Sequence, residues 1–137
     1  MNSEDLKRRT KQFALRILKL VAALPNTVQG RAIGGQLVRS GTAVGSNYRA
    51  TCRSRSKAEF VARIGVVEEE ADESAFWMEL IIEGELLKPQ QVEPLLSEAN
   101  ELAKIMASSR ISASATLARN RNSQLAIGNR KSAMTYG

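Results

Sequence analysis

The sequence predicts an all-α fold, an antiparallel up-down-up-down bundle of four helices, and three observations support this prediction. Apolar residues recur every three or four positions over most of the chain, which is the spacing of one helix face. The segments between these periodic stretches are short and contain proline or polar residues. No stretch alternates apolar and polar residues as a half-buried strand does. Short connections place consecutive helices antiparallel, so four such helices make an up-down-up-down bundle.

The first helix is predicted over residues 3–23. Ser3 is its candidate N-cap, and Glu4 and Asp5 occupy the first turn, where the helix dipole favours anions. Its apolar stripe consists of Leu6, Phe13, Ile17, Leu20 and Leu24. Pro25 ends the helix, because the residue before a proline avoids the α conformation.

The second helix is predicted over residues 28–53, capped by Asn26 or Thr27. Its core stripe consists of Ile33, Leu37, Val44 and Tyr48, and a second face carries Gly30, Gly34, Val38, Gly41 and Gly45. Each helical glycine costs about 0.5–1 kcal/mol relative to alanine, so four on one face need a structural reason. We favour close approach of another helix backbone, and the alternative is a helix that is kinked or broken near residues 41–45.

The third helix begins at the capping-box spacing of Ser56 and Glu59 and is expected to end near Leu87, ahead of Pro89. Spacings of four and three alternate along a heptad seam of Phe60, Ile64, Val67, Ala71, Ser74, Met78 and Ile81. Trp77 and Leu80 widen this apolar surface. A different face is acidic and carries Glu68, Asp72, Glu79 and Glu83.

The fourth helix begins by Pro94, a residue tolerated in a first turn. Its stripe consists of Leu95, Ala99, Leu102, Met106, Ser109 and Ala113. From about residue 114 the sequence has few large apolar residues and no acidic ones. The sequence therefore predicts a four-helix domain over residues 1–113 and a flexible basic tail over residues 114–137.

The composition argues against most enzyme classes. The chain of 137 residues contains no histidine, which excludes Ser-His-Asp and Cys-His catalysis, HExxH zinc sites and the Glu-x-x-His pairs of di-iron bundles. We therefore expect a protein that is not an enzyme and that needs no cofactor. The single cysteine excludes an internal disulfide and fits a reducing cytoplasm. No apolar run is long enough to span a membrane, and no secretory signal is visible, so we expect a cytoplasmic protein.

Charge is unevenly distributed along the chain, although the formal net charge is only +6. Residues 1–55 sum to +9, residues 56–101 to −9 and residues 102–137 to +6. The basic segments would attract a polyanion such as nucleic acid. Alternatively, the acidic segment pairs with the basic one within or between subunits, or the charges simply keep solvated helix faces soluble.

Two stretches resemble a known bacterial family. They are QLVRSGTAVGSNYRA over residues 36–50 and CRSRSKAEFVARIGVVEEEADESAFWMELI over residues 52–81, and the resemblance extends over about residues 10–110. The family comprises the four-helix bundle proteins of the bacterial 23S rRNA intervening sequences, to which accessory proteins of diversity-generating retroelements are related. The resemblance implies a cyclic homopentamer without known catalytic activity. For the retroelement branch it also implies binding to a reverse transcriptase and to nucleic acid.

Candidate nucleic-acid contacts crowd the end of the second helix, where Arg49, Arg53 and Arg55 precede Lys57. Arginine suits bidentate phosphate contacts, and Arg119 and Arg121 add charge in the tail. The alternative role of these cations is stabilisation of a helix C-terminus or salt bridging between subunits. From these candidates we predict binding of nucleic acid, with structured RNA as the expected ligand. The competing hypothesis is an adaptor whose partner is a protein such as a reverse transcriptase.

Other candidate residues are assigned to packing between helices or subunits. Arg39 lies in the middle of a helix and is expected to pair with Glu69, Glu70 or Glu73, because an unpartnered charge there would cost several kcal/mol. The remaining packing candidates are Gly34, Gly41, Gly45 and Trp77. A metal site on the glutamate-rich stretch of residues 68–73 is not expected, because consecutive glutamates diverge around a helix. Catalysis by Cys52 is not expected either, because it has no histidine or second cysteine as a partner.

Overall fold

The computed structural model describes the backbone of residues 1–136 and the side chains of residues 1–130. Four helices follow one another, α1 (Ser3–Ala22), α2 (Val28–Thr51), α3 (Lys57–Glu83) and α4 (Pro89–Tyr136). Consecutive helices pack against each other, and α4 also packs against α1. Buried residues of all four helices form one apolar core. The prediction of an all-α four-helix bundle is confirmed.

Side-chain caps set the first residue of each of the first three helices. The cap of α1 is Asn2 rather than Ser3, because the Asn2 side-chain oxygen accepts a 2.8 Å hydrogen bond from the Asp5 backbone N–H. Of the two residues proposed for α2, Thr27 is the cap, and its hydroxyl accepts from the Gly30 N–H. The α3 cap is Ser56, as predicted.

A Schellman turn ends α3 at Glu83, earlier than the predicted end near Leu87. Glu85 adopts the left-handed conformation with a φ of 57°, which no other described non-glycine residue does. The Leu86 N–H then donates to the Ile81 carbonyl over 2.9 Å, which satisfies a carbonyl in the last turn of the helix. Glycine usually occupies the left-handed position after a helix, and because Glu85 occupies it here, the sequence did not show that α3 ends at Glu83.

The fourth helix begins at Pro89, five residues before Pro94. Proline is favoured at a first helical position because its fixed φ suits the helix and its missing N–H would be unpaired there. The Gln91 side chain accepts a hydrogen bond from the Lys88 N–H over 3.1 Å and adds a cap. Pro94 therefore lies in the second turn, and this longer start buries Val92 completely.

The helix continues well past the predicted end of the four-helix domain. Ala113 is the last buried side chain among those described, and the division into residues 1–113 and 114–137 stays a prediction. Residues 114–136 nevertheless continue α4 instead of leaving the helix, since they contain no proline. The flexibility of residues 114–137 stays a prediction, and Gly137 lies outside the described residues.

The predicted apolar stripes form the core with few exceptions. The α3 seam is buried from Ile64 to Ile81, and Phe60 at its start is half-buried. Leu24, Ile33 and Ser109 are likewise half-buried. The stripes also missed Thr10, which is fully buried because its hydroxyl donates a 2.8 Å hydrogen bond to the Leu6 carbonyl of the preceding turn.

Glycines bring α2 unusually close to α1. A Cβ atom on Gly41 would lie 2.6 Å from Ile17 Cγ1, and one on Gly45 would lie 3.3 Å from the Thr10 carbonyl oxygen. Gly34 faces α1 in the same way, with 3.1 Å to Val21 Cγ1. α2 is unbroken through all three positions, and these short distances to α1 give the glycines a role in close helix packing.

Candidate nucleic-acid interface

A basic groove lies between the start of α1 and the end of α2. It has a volume of about 490 Å³ and is lined by five cationic side chains and one carboxylate, Lys7, Arg8, Lys11, Arg49, Arg53 and Glu4. Arginine and lysine in one concave surface favour contact with phosphate groups. The groove therefore unites two sequence-predicted cations with three from α1 that the sequence analysis did not select.

Close helix packing creates this groove. Because Gly45 has no side chain, α2 lies directly against the α1 backbone at Thr10. Arg49 follows one turn later on α2, and Lys7 and Lys11 flank Thr10 on α1. A larger residue at position 45 would separate the two helices at the inner end of the groove.

Several groove cations carry no internal counter-ion. Lys7 Nζ lies 3.1 Å from Glu4, and Arg8 lies 2.8 Å from Asp5, so these two charges are partly compensated. Lys11, Arg49 and Arg53 form no salt bridge with any described residue. Arg49 also lies in the last turn of α2, where the helix dipole stabilises a cation. Arg49 can therefore contact a phosphate group and stabilise the C-terminus of α2 from the same position, which are two of the roles considered for it from the sequence.

The remaining predicted cations lie at the same end of the bundle. Arg55 is exposed in the α2–α3 connection, where its backbone N–H donates a 3.0 Å hydrogen bond to the Glu59 carboxylate. Lys57 begins α3 and lines one cleft with Ser3 of α1 and another with Thr116 of α4. All four helices therefore reach this end, which we call the basic end.

Arg119 and Arg121 extend the positive charge away from the bundle. Both are exposed on the part of α4 beyond the last buried residue, together with Arg130. Arg119 donates a 3.2 Å hydrogen bond to the Thr116 hydroxyl one turn earlier. Since α4 passes Lys57 shortly before residue 119, this extension starts at the basic end.

The sequence model of the 23S rRNA-intervening sequence protein family matches residues 4–108. The chain belongs to this family. It is also similar to the 1.70 Å crystal structure of a protein of unknown function from the S23 ribosomal protein family of Bacteroides thetaiotaomicron. That similarity has a TM-score of 0.72 and 30% identity, and it covers 77% of this chain and 97% of the other. The comparison with curated proteins finds no match.

The family match covers the bundle but stops before the helical extension. It ends at residue 108, five residues before the last buried side chain, Ala113. Lys7, Arg8, Lys11, Arg49 and Arg53 all lie within the matched region, and Arg119 and Arg121 lie outside it. The groove therefore lies within the part of the chain that matches the family model, and the charged extension lies outside it.

Carboxylates of α3 form salt bridges with arginines of the two neighbouring helices. Arg39 Nη1 lies 3.3 Å from Glu70, and Arg39 also pairs with Glu73. Glu69, the third partner considered from the sequence, is exposed and forms no salt bridge with a described residue. Arg110 of α4 pairs with Glu68 over 2.6 Å. These salt bridges link α3 to α2 and α4.

The glutamate-rich stretch forms no metal site in the described part of the chain. There, no group of three or more histidine, cysteine, aspartate or glutamate side chains converges on a common point. Glu68, Glu70 and Glu73 form salt bridges with arginines, and Glu69 and Asp72 are exposed on the outer face of α3.

The described helices include none that is both long and apolar enough to cross a membrane.

Two aromatic residues of α2 and α3, Tyr48 and Trp77, pack against the core. Tyr48 is buried beside the groove, and this burial raises the pKa of its hydroxyl, with Cys52 as a further cause. Trp77 is half-buried against the core and stacks on Phe76 with ring centroids 5.1 Å apart. The Trp77 indole N–H is the only buried side-chain polar atom without a hydrogen-bond partner among the described residues.

The sequence alone does not show that three cations of α1 line the groove. Lys7, Arg8 and Lys11 lie off the apolar stripe, as solvated lysines and arginines commonly do. Their relevance depends on the register between α1 and α2, which Gly41 and Gly45 fix through Ile17 and Thr10. The sequence shows the glycine face of α2, but it does not show which residues of α1 pack against that face.

Proposed function

We propose that this protein is a non-catalytic, nucleic-acid-binding assembly that contacts phosphate groups through the basic end of each subunit. Structured RNA is the expected ligand. The observation that carries the proposal is the convergence of groove cations from α1 and α2 with Lys57 and the α4 extension. Catalysis is left out because the chain lacks histidine, the commonest general base near neutral pH.

The proposed subunit is an antiparallel up-down-up-down bundle. Contacts between helices support this topology, because the residue numbers of paired positions move in opposite directions. Arg39 of α2 meets Glu73 of α3, and further along, Arg63 of α3 donates to the Ala50 carbonyl of α2. The proposed assembly is a cyclic homopentamer, which the family resemblance implies. Its mass by light scattering would be five times the chain mass of 15.0 kDa.

Binding through these cations would be electrostatic and largely independent of nucleotide sequence. Phosphate contacts position a nucleic acid but read no bases, and the groove is lined by charged side chains without an aromatic ring. We therefore expect the logarithm of affinity to fall by about 0.7–0.9 per neutralised phosphate for each unit of log salt concentration.

The decisive experiment compares two double variants that remove the same charge from opposite ends of the bundle. Arg49→Gln with Arg53→Gln alters the groove, and Arg31→Gln with Lys88→Gln is the matched control. Filter-binding titrations of a structured RNA over a range of salt concentrations give the slope for each protein. We expect a weaker salt dependence for the groove variant and the parental slope for the control.

A second arm tests the extension. Deletion of residues 114–137 should weaken binding further without changing the number of subunits in the oligomer, because no side chain between residues 114 and 130 is buried. Equal affinity of parent, groove variant and deletion would contradict the proposal. Binding only when a reverse transcriptase is added would instead support the adaptor function.

A further inference from the structure

The outer face of α1 carries an apolar stripe bordered by lysines. Leu15 and Leu18 are 48% and 46% exposed, although they are large aliphatic residues in a long, well-formed helix. At about 100° per residue, Leu15 lies about 160° and Leu18 about 100° around α1 from buried Ile17, so both lie off the core stripe. Lys11 and Lys19 flank them in the same sector and form no salt bridge with a described residue.

The outer face of α3 has the same arrangement with the opposite charge. Phe76 is 45% exposed, and Asp72 and Glu79 lie one turn before and after it. Glu69 and Glu83 continue the same sector, which faces away from buried Met78. None of these four carboxylates forms a salt bridge with a described residue, in contrast to the glutamates that hold arginines of α2 and α4.

These two faces cannot satisfy each other within one chain. In the described structure α1 and α3 are not adjacent, because each packs against α2 and α4, so their outer faces do not meet. Each face combines a large exposed apolar group with charges that have no internal partner. A surface of opposite charge with its own apolar centre would cover either one.

We propose that the α1 face of one copy of this chain docks on the α3 face of the next, with Phe76 packed between Leu15 and Leu18. The inference rests on the proposed assembly and adds the residues that form its contact. Such a contact is heterologous, because different surfaces of the two copies meet, and repetition of it generates a ring when the rotation closes.

The lengths of the two faces match. Lys11 and Lys19 are about 12 Å apart along α1, and Asp72 and Glu79 are about 10 Å apart along α3, at 1.5 Å per residue. Leu15 lies midway between the lysines, Leu18 lies next to Lys19, and Phe76 lies about midway between the carboxylates. Contact between the apolar groups therefore leaves the lysines and carboxylates around them, and charged residues around an apolar centre are common in protein interfaces.

Two single variants test the contact. Leu18→Asp alters only the α1 face, and Phe76→Asp alters only the α3 face. Each should convert the assembly to a species with the mass of one chain, measured by light scattering after size exclusion. Ile111→Asp is the matched control, because Ile111 is 59% exposed on α4 and outside both faces, and it should keep the parental mass. Thermal melting of all three variants checks that the bundle remains folded.

Mixing the two variants gives the sharpest outcome. Phe76→Asp retains an intact α1 face and Leu18→Asp an intact α3 face, so an equimolar mixture should form a dimer and nothing larger. The two altered faces both carry an added carboxylate and repel each other. Failure of the mixture to form this dimer, or parental mass for either variant alone, would overturn the proposed contact.

The assay separates this contact from the proposed function. Both variants leave Lys7, Arg49 and Arg53 unchanged, so the salt-dependent slope of RNA binding remains measurable for them. A parent that is itself monomeric refutes the assembly and the contact together. A pentamer that survives both substitutions refutes the contact alone.

Discussion

Replacement of Gly41 by alanine tests the close approach of α1 and α2. The new Cβ would lie 2.6, 2.9 and 3.0 Å from three side-chain atoms of Ile17. Carbon atoms in ordinary contact are about 3.5–4.0 Å apart, so a shift of roughly 1 Å is required. Ile17 is fully buried in the core and is β-branched, so it has little freedom to move aside.

The expected loss of stability is the difference between two effects. Overpacking of a core site costs about 1–3 kcal/mol, and alanine in place of a helical glycine returns about 0.5–1 kcal/mol. The net decrease in the free energy of unfolding is therefore about 1–2 kcal/mol. For a chain of this length that corresponds to a melting temperature lower by about 4–7 °C. Leucine at position 41 or 34 should be more damaging still.

Gly35→Ala provides the matched control. Gly35 is exposed on the same helix, and a Cβ there would meet no atom within 4 Å. Only the gain in helix propensity remains, so this variant should melt about 2–3 °C above the parent. Calorimetry at one protein concentration compares the three proteins. If Gly41→Ala melts at or above Gly35→Ala, α1 does not approach α2 as closely as described.

Four further substitutions or measurements address other parts of the molecule. Arg9→Ala should lower the free energy of unfolding by about 1–2 kcal/mol in urea titrations, because it removes two 2.7 Å hydrogen bonds to half-buried Glu98. Glu85→Gly should raise it by up to about 1 kcal/mol, since glycine relieves the left-handed strain, and an unchanged urea midpoint would refute this. Burial raises the pKa of Tyr48 above its ordinary 10.0, so the folded state retains the proton and stability should fall above about pH 10. Tyr48→Phe should lack that part of the decline. Backbone amides of residues 114–136 should exchange hydrogen far faster than those of α2, because an isolated helix is only marginally stable.

The sequence predicted the bundle well because its signals are local and repeated. Alternating spacings of four and three identified the α3 core from Ile64 to Ile81, and Ser56 marked the start of that helix. Errors occurred where one position decides the outcome. Glu85 ends α3 in a conformation normally left to glycine, and Pro89 starts α4 although Pro94 was an equally acceptable start.

The candidate site was only partly predictable, because it depends on how α1 and α2 are aligned along each other. Arg49 and Arg53 could be selected because they cluster in the sequence at a helix end. Lys7 and Lys11 belong to the same groove but are some forty residues away in the chain. The packing of α2 on α1, including the contact between Gly45 and Thr10, brings the two groups together, and the sequence shows the glycine face without showing which residues pack on it.

The pattern of salt bridges distinguishes cations that hold the fold from cations that are available to a ligand. Arg9, Arg39 and Arg110 each reach across to a carboxylate on another helix, so their charge is neutralised inside the subunit. Arg49 and Arg53 have no such partner among the described residues, although the chain has carboxylates left over. Those spare carboxylates lie on the outer face of α3, whereas the groove opens at the basic end. The spare carboxylates thus lie apart from the groove, whereas Lys11 borders both the groove and the α1 face. Nucleic-acid binding and subunit contact can still be tested by different substitutions, because Arg49 and Arg53 lie only in the groove, and Leu18 and Phe76 do not line it.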